Sequence, residues 1–477
     1  MPAITGGQVR KLAKNAAALA VGGIAAQAAF VLVEVLIARR LSQELYGVFS
    51  TVFVLTSLSL WVVDAGLGWK LVQDGSRRAA EIPRLLGTSL VLRVMIFLAL
   101  YPLAVGLVSL SGYGEQTVVL FSIFFSYALI MVVQDSLVSV YAAQQRMEVS
   151  AVFQGLTPAV ICVLVYFLIE KTHSINSVAY AYLAGSGAVT LCWLIWTAMR
   201  VRPWVDFRGM PDILKGSYQY GLSGLLTMAF YRIDIVLLSL LRDMSEVGIY
   251  AAAAKLLDLA GKIPILAARV VAPMLFQKSH EDPAGYRKIC NAMLRAAAGV
   301  AMAVALTFNL LAEPLILFVF GEKYAASAII LQVLGISFAL RFVSIALQTV
   351  LSTSDLHARR TQALGLGTAF SVGCNLVLIP LYGAIGAAGG VILGNIVIIL
   401  AFLAAARRPL DVGAALRGLA LASGWATLAV VVSRALTDHA LLAWALAVVL
   451  FAAALTATGF VSRKQITRLA RAAMRGE

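Results

Sequence analysis

Apolar stretches of about 20 residues, the length that carries a helix across ~30 Å of hydrocarbon, recur fourteen times along this chain. They lie near 16–38, 47–68, 85–110, 118–142, 150–169, 177–199, 217–241, 247–275, 289–311, 326–350, 362–380, 384–405, 418–433 and 440–461. With 61% of its residues apolar and only 13% charged, a chain of 477 residues is too oily for a soluble protein. The expected fold class is therefore all-α and integral to a membrane, with about 14 transmembrane helices.

Basic residues sort by side. With the N-terminus placed in the cytoplasm, 25 of the 38 Lys and Arg fall in connections on that side, 6 on the other side and 7 inside spans. That bias fixes an even number of spans with both termini cytoplasmic. The formal charge of +15 reads as membrane orientation and not as nucleic-acid binding, and no RNA or DNA module is visible. The polar, basic start runs straight into a full-length span, so the first span is expected to be retained, and the basic tail after Gly459 reads as a membrane-surface segment. Cys162, Cys192, Cys290 and Cys374 show neither paired nor metal spacing, and His173, His280, His357 and His439 all fall in connections.

Seven bases lie inside spans: Arg93, Arg232, Lys255, Lys262, Arg269, Arg295 and Arg341. Facing lipid, each charge would cost ~3 kcal/mol, so such residues ordinarily line a wet, protein-walled cavity. Lys255, Asp258 and Lys262 fall at i, i+3 and i+7 and share one helix face. That face is either a self-satisfied row of ion pairs or a binding wall for an anion. Arg232 and Asp234 point about 200° apart on a regular helix and cannot pair directly. The acids inside spans, Glu34, Asp64, Asp135, Asp234 and Asp258, are candidates for ion coupling, or for pairing with an intramembrane Arg.

An internal repeat sets the domain expectation. ARRLSQELYGVFSTVFVL after the first span and LLRDMSEVGIYAAAAKLL after the seventh share, in order, Arg40, Ser42, Glu44, Gly47, Val48 and Phe49 against Arg242, Ser245, Glu246, Gly248, Ile249 and Tyr250. Six spans per copy predict two lobes related by an axis along the membrane normal and facing a central cleft. The expected division is 1–205 and 206–410 for the lobes, 411–461 for a C-terminal helix pair and 462–477 for the tail. Between the lobes runs RVRPWVDFRGMPDILKGS, where Pro203, Gly209 and Pro211 break helix.

ARRLSQELYGVFS after the first span, RIDIVLLSLLRDMSEVGIYAAAAKL across the seventh and eighth, and PLYGAIGAAGGVILGN opening the twelfth resemble the polysaccharide transporter family. Those proteins are flippases for undecaprenyl-linked oligosaccharides within the multidrug, oligosaccharidyl-lipid and polysaccharide exporter superfamily. The resemblance implies movement of a lipid-linked sugar repeat unit across a bacterial inner membrane for O-antigen, capsule or exopolysaccharide. It also implies membrane lipid as a partner, together with a polysaccharide polymerase and chain-length machinery, and no cofactor. A polyprenyl diphosphate headgroup suits Arg forks and Lys ammonium groups in a low-dielectric site. Arg232 and Arg341 near mid-span, with Lys255 and Lys262 flanking the middle of theirs, are the expected headgroup residues. Arg93, Arg269 and Arg295 lie nearer the cytoplasmic ends, where they either snorkel or meet substrate at an inner entrance.

An ion-coupled drug or metabolite antiporter of the same superfamily is the alternative, although its cleft would favour acids. A membrane glycosyltransferase or polymerase would need a larger outward loop than the one near Ala312–Ala325. The sequence holds no P-loop, zinc spacing or nucleophile elbow, so ATP-driven or hydrolytic chemistry is not expected.

Overall fold

The computed structural model describes residues 26–172, 174–261 and, within 264–458, all but 266–267, 269–270, 272–274, 276–277, 280–281, 355 and 408–409. Lys262, Arg269, the first 25 residues and the tail after 458 lie outside the described residues. All regular structure among those described is helical, and the described parts of the fourteen apolar runs are mostly helix, except that the run 47–68 is broken by the left-handed turn at Ala65 and Gly66 and the run 247–275 turns at Gly261. Among the described residues, eleven helices are long and apolar enough to cross a membrane. One of them, within the helical stretch His357–Ala405, is two spans: 49 residues would reach about 74 Å if straight, more than twice a bilayer core.

The chain forms two compact units, dividing at Ala251 and Ala252. The first contains α1 (26–40), α2 (Gln43–Asp64), α3 (Leu67–Arg77), α4 (Ile82–Leu110), α5 (Glu115–Ala143), α6 (Met147–Thr172), α7 (Ile175–Val201), α8 (Met210–Leu241) and the first turns of α9 (Met244–Ala260). Its core is aromatic. Phe49 and Phe53 of α2 meet Phe124 of α5 and Tyr182 of α7, with ring centroids 5.4–6.3 Å apart, an arrangement that uses both ring area and edge-to-face geometry. α3 is the amphipathic exception among these helices. Leu67 and Leu71 are buried against α4, α5 and α8, and Trp69, Arg77 and Arg78 are exposed.

The link between α7 and α8 is fastened to the start of α4. Trp204 N–H donates to the Pro83 carbonyl (3.2 Å), Asp206 N–H to the Thr88 hydroxyl (3.0 Å) and Arg84 Nη1 to Asp206 Oδ2 (2.8 Å). Gly87 makes room, since any Cβ there would overlap the Trp204 carbonyl. The Arg84 guanidinium, with a further bond from Gly209 N–H, holds the Asp206 carboxyl below the usual carboxylate range.

In the second unit, α10 (Pro283–Phe320) and α11 (Ser327–Thr353) precede a hairpin, α12 (357–382) and α13 (384–405), that turns at Gly383, whose φ is 57°. Ser371 donates to the Gly390 carbonyl (3.1 Å), and a Cβ on Gly386, Gly390 or Gly394 would overlap residues 378, 375 or 371 of the facing arm. This is close glycine-mediated packing of the kind helices use in lipid. α14 (Val412–Leu436) and α15 (Ala440–Ala457) complete the unit and bury Ala426, Ala429, Ala447 and Phe451 against α10. The span expected to end at 311 continues to Phe320. Glu313 and Pro314 look like a terminus in sequence, yet Glu313 is exposed and a proline inside a membrane helix is tolerated.

Candidate functional site

Sequence alone places Asp64, Arg93 and Asp135 on three separate spans, and folding brings them together. Asp64 closes α2, after which Ala65 (φ 49°) and Gly66 (φ 78°) adopt left-handed backbone and let the chain turn sharply into α3. Gly66 N–H caps Asp64 Oδ2 at 3.1 Å. Arg93, eleven residues into α4, is wholly buried and donates from both Nε and Nη2 to Asp64 Oδ1 and from Nη1 to Ser136 of α5. Its Nη2 stands 3.8 Å from Asp135 Oδ2, and the Asp135 side chain keeps 52% of its accessibility. A Cβ on Gly68 of α3 would overlap that same carboxylate, so the amphipathic helix lies directly on the cluster. Arg93 thus reaches inward to a carboxylate pair and not out to the interface. Two carboxylates on one guanidinium leave a surplus negative charge that one partner can only partly offset.

The other intramembrane charges are spread over both units. Glu34 of α1 is 6% exposed and acts electrostatically on the Tyr127 and Tyr182 phenols of the aromatic core. Asp234 of α8 is 7% exposed, accepting from the Tyr250 hydroxyl of α9 and from Ile235 N–H at 2.9 Å. Arg232, two residues away, is half-buried and acts on Asp234 through space. Lys255 and Asp258 of α9 and Arg341 of α11 are likewise half-buried, whereas Arg295 of α10 is exposed.

Ser136, Gly68, Asn375 and Asn395 were not singled out in sequence. Asn375 and Asn395 are fully or almost fully buried where α12 and α13 pack, and Asn395 reaches Ser337 of α11 at 3.3 Å. Two carboxamides inside apolar runs were the available signal. On the outer face of α14, a shallow open groove of about 560 Å³ is lined by Ala420, Leu421, Gly424, Trp425 and Leu428, with Arg417 at one end.

The sequence model described as polysaccharide biosynthesis protein matches residues 36–329, more than half of the chain. This chain belongs to the polysaccharide biosynthesis protein family. Solved structures place the family member's fold. One described as the lipid II flippase MurJ in an inward closed conformation is 14% identical with a TM-score of 0.77, the match covering 91% of this chain and 97% of that one. A multidrug resistance MATE transporter in an inward-facing conformation is 16% identical with a TM-score of 0.70, covering 82% and 96%. A transporter of the same superfamily from Pyrococcus furiosus, whose title notes a binding pocket of reversed polarity, is 16% identical at a TM-score of 0.59, covering 84% and 96%. No curated protein matches the chain by sequence. This family member is a multi-pass membrane protein with the fold of flippases and transporters, and neither its family nor its fold is that of an enzyme.

Proposed function

We propose that the protein flips undecaprenyl-diphosphate-linked oligosaccharide repeat units across a bacterial inner membrane for surface polysaccharide synthesis, working by alternating access with both termini in the cytoplasm. The observation that carries this reading is the presence of half-buried bases inside apolar helices, Arg232, Lys255 and Arg341, in a polysaccharide biosynthesis family member. A diphosphate offers such groups charge-assisted hydrogen bonds that offset the cost of holding them at membrane depth. Together with Lys262 they form the proposed headgroup site, with Arg269 and Arg295 along the inner approach, whereas Arg93, wholly buried on Asp64 and Ser136, is left out of that approach. Residues 1–205 and 206–410 serve as the two lobes. The groove on α14, apolar along its length with Arg417 at one end, suits an isoprenoid tail that stays in the bilayer while its headgroup crosses. Polymerase and chain-length machinery would act on the product.

Export of oligosaccharide by Arg232→Ala, Lys255→Ala, Lys262→Ala and Arg341→Ala, each at normal protein level, tests the headgroup site. Each variant is expected to lose export. Full export by all of them would remove the assignment. Reconstitution with a labelled lipid-linked oligosaccharide tests the cargo itself.

The surplus carboxylate at Asp64, Arg93 and Asp135, with the likeness to a MATE transporter, favours a second reading, an ion-coupled antiporter of small cations. In either reading Glu34, Asp64, Asp135, Asp234 and Asp258 are the proposed coupling acids. Loss of the gene separates the two. The flippase reading expects a missing surface polymer, and the antiporter reading expects drug sensitivity with the polymer intact.

A further inference from the structure

Two spans of the first unit, α2 and α4, are joined by α3 and the tight turn Ala79–Glu81, and this joint carries more positive charge than its acids take up. Lys70 pairs with Asp74 at 3.0 Å, and Arg84 gives Nε to Glu81 at 2.7 Å and Nη1 to Asp206 at 2.8 Å. All three acids are thereby engaged. Arg77 and Arg78 are exposed, and neither is within ion-pair distance of an acid among the described residues. With Asp74, Glu81, Arg84 and Leu85 they line a recess of about 220 Å³.

The surroundings of the recess point to the phase its ligand comes from. α3 turns its apolar face, Leu67 and Leu71, into the protein and leaves Trp69 outward. Trp204 and Phe207, on either side of the Asp206 that Arg84 holds, also keep more than half of their surface exposed, between the exposed Arg202 and Arg208. Aromatic rings beside bases at the ends of spans mark the headgroup level of a bilayer, and a basic recess at that level attracts anionic lipid. The volume agrees. Pockets that enclose a whole small molecule start at about 300 Å³, so this one admits a headgroup and leaves any tail outside, where the exposed rings are. A soluble anion would gain nothing from those rings.

We infer that the recess between α3 and the start of α4 binds the phosphate of an anionic phospholipid of the surrounding bilayer, Arg77 and Arg78 supplying charge-assisted hydrogen bonds and Trp69, Trp204 and Phe207 lying against the glycerol and upper acyl chains. Arg84 stays with Glu81 and Asp206 and shapes the wall. This lipid is a resident of the membrane and not the cargo. None of the residues proposed above for the cargo headgroup or for ion coupling takes part, so the site stands whichever substrate the protein moves. Because Arg84 also fastens the α7–α8 link, a lipid seated here anchors α3 and that link to the same membrane surface.

The test reads local lipid enrichment around the full-length protein in phosphatidylcholine nanodiscs. Cys162, Cys192, Cys290 and Cys374 are replaced by Ala, and a donor fluorophore is attached to Ala80→Cys, an exposed position two residues from Arg78. Acyl-labelled phosphatidylglycerol or acyl-labelled phosphatidylcholine is present at trace level as the acceptor. Energy transfer should show phosphatidylglycerol enriched over phosphatidylcholine. Arg77→Gln and Arg78→Gln should each lower its relative association about fivefold, and the pair roughly twentyfold to thirtyfold. Both side chains are exposed, so the double variant should keep its parent's thermal stability, which separates loss of binding from loss of fold. Equal enrichment in parent and double variant would overturn the proposal, as would equal transfer to the two lipids in the parent. Soluble glycerol phosphate at the same total concentration as the lipid should leave the transfer unchanged. Full displacement by it would assign the recess to a soluble phosphate and overturn the lipid assignment.

Discussion

Arg93→Met is the most informative single change in the first unit. Arg93 has no exposed surface, and among the described residues it is the one cation within ion-pair distance of Asp64 and of Asp135. Methionine keeps much of the volume and removes the charge, leaving Asp64, with 6% side-chain exposure, as a buried carboxylate held by Gly66 N–H alone. Removing one member of a buried pair costs about 3–5 kcal/mol; at about 1.4 kcal/mol per tenfold, the folded-to-unfolded ratio should fall by roughly a hundredfold to a few thousandfold. Arg93→Met/Asp64→Asn leaves no unpaired charge in the closed part of the cluster, because Asp135 keeps half its side chain accessible. The double variant should therefore recover most of the loss, giving a coupling energy well outside additivity. Purified protein in detergent, compared by the half-life of its folded fraction at one temperature, supplies the ranking even where unfolding is irreversible. Equal loss in the single and double variants would refute the reasoning, since it would mean that Arg93 acts through packing and that the buried carboxylate carries no penalty.

Three further outcomes follow from the packing. Gly87→Ala pushes a methyl into the Trp204 carbonyl and should cost about 1–3 kcal/mol, seen as faster tryptic cleavage at Arg208. Gly386→Ala should lower stability by a similar ~1–3 kcal/mol by forcing apart the arms of the Gly383 hairpin, measured by thermal inactivation. The Asp206 carboxyl titrates below its ordinary value, so its contribution is complete above the unfolded value of about 3.9 and is lost as pH falls through the lower folded one. Amide exchange of residues 202–209, corrected for intrinsic rates, should stay protected from neutrality down to about pH 4 and open below it. Asp206→Asn should show the opened behaviour at neutral pH.

The spans were legible because an apolar run of membrane length has few other uses, and the turn at Gly383 was legible because PLYG interrupts such a run. The continuation of α10 to Phe320 was not, because Glu313 and Pro314 carry the local chemistry of an ending and only the surrounding helices override it. Arg93, Asp64 and Asp135 could each be recognised as charges out of place. Their grouping could not be read, since 29 and 42 residues separate Arg93 from its two acids and no local period links three helices. The same holds for the glycines. Gly47 and Gly248 were visible as one motif repeated, but repetition does not say that the copies face each other.

The buried cluster and the close contact of Gly66 with Gly221 of α8 belong to one mechanical unit. Asp64 ends α2, Gly66 follows in left-handed backbone against α8, and Gly68 rests on Asp135. Five consecutive residues therefore link a charge-locked corner to the close contact of α2 with α8. Arg93, bonded both to Asp64 and to Ser136, ties the end of α2 to α4 and α5 and so fixes the edge on which Gly66 meets α8. It follows that Arg93→Met/Asp64→Asn, although stable, should loosen that edge, seen as increased labelling of a Lys70→Cys reporter by an impermeant maleimide in a background with Cys162, Cys192, Cys290 and Cys374 replaced by Ala. Unchanged labelling in that variant would leave the cluster a role in stability alone.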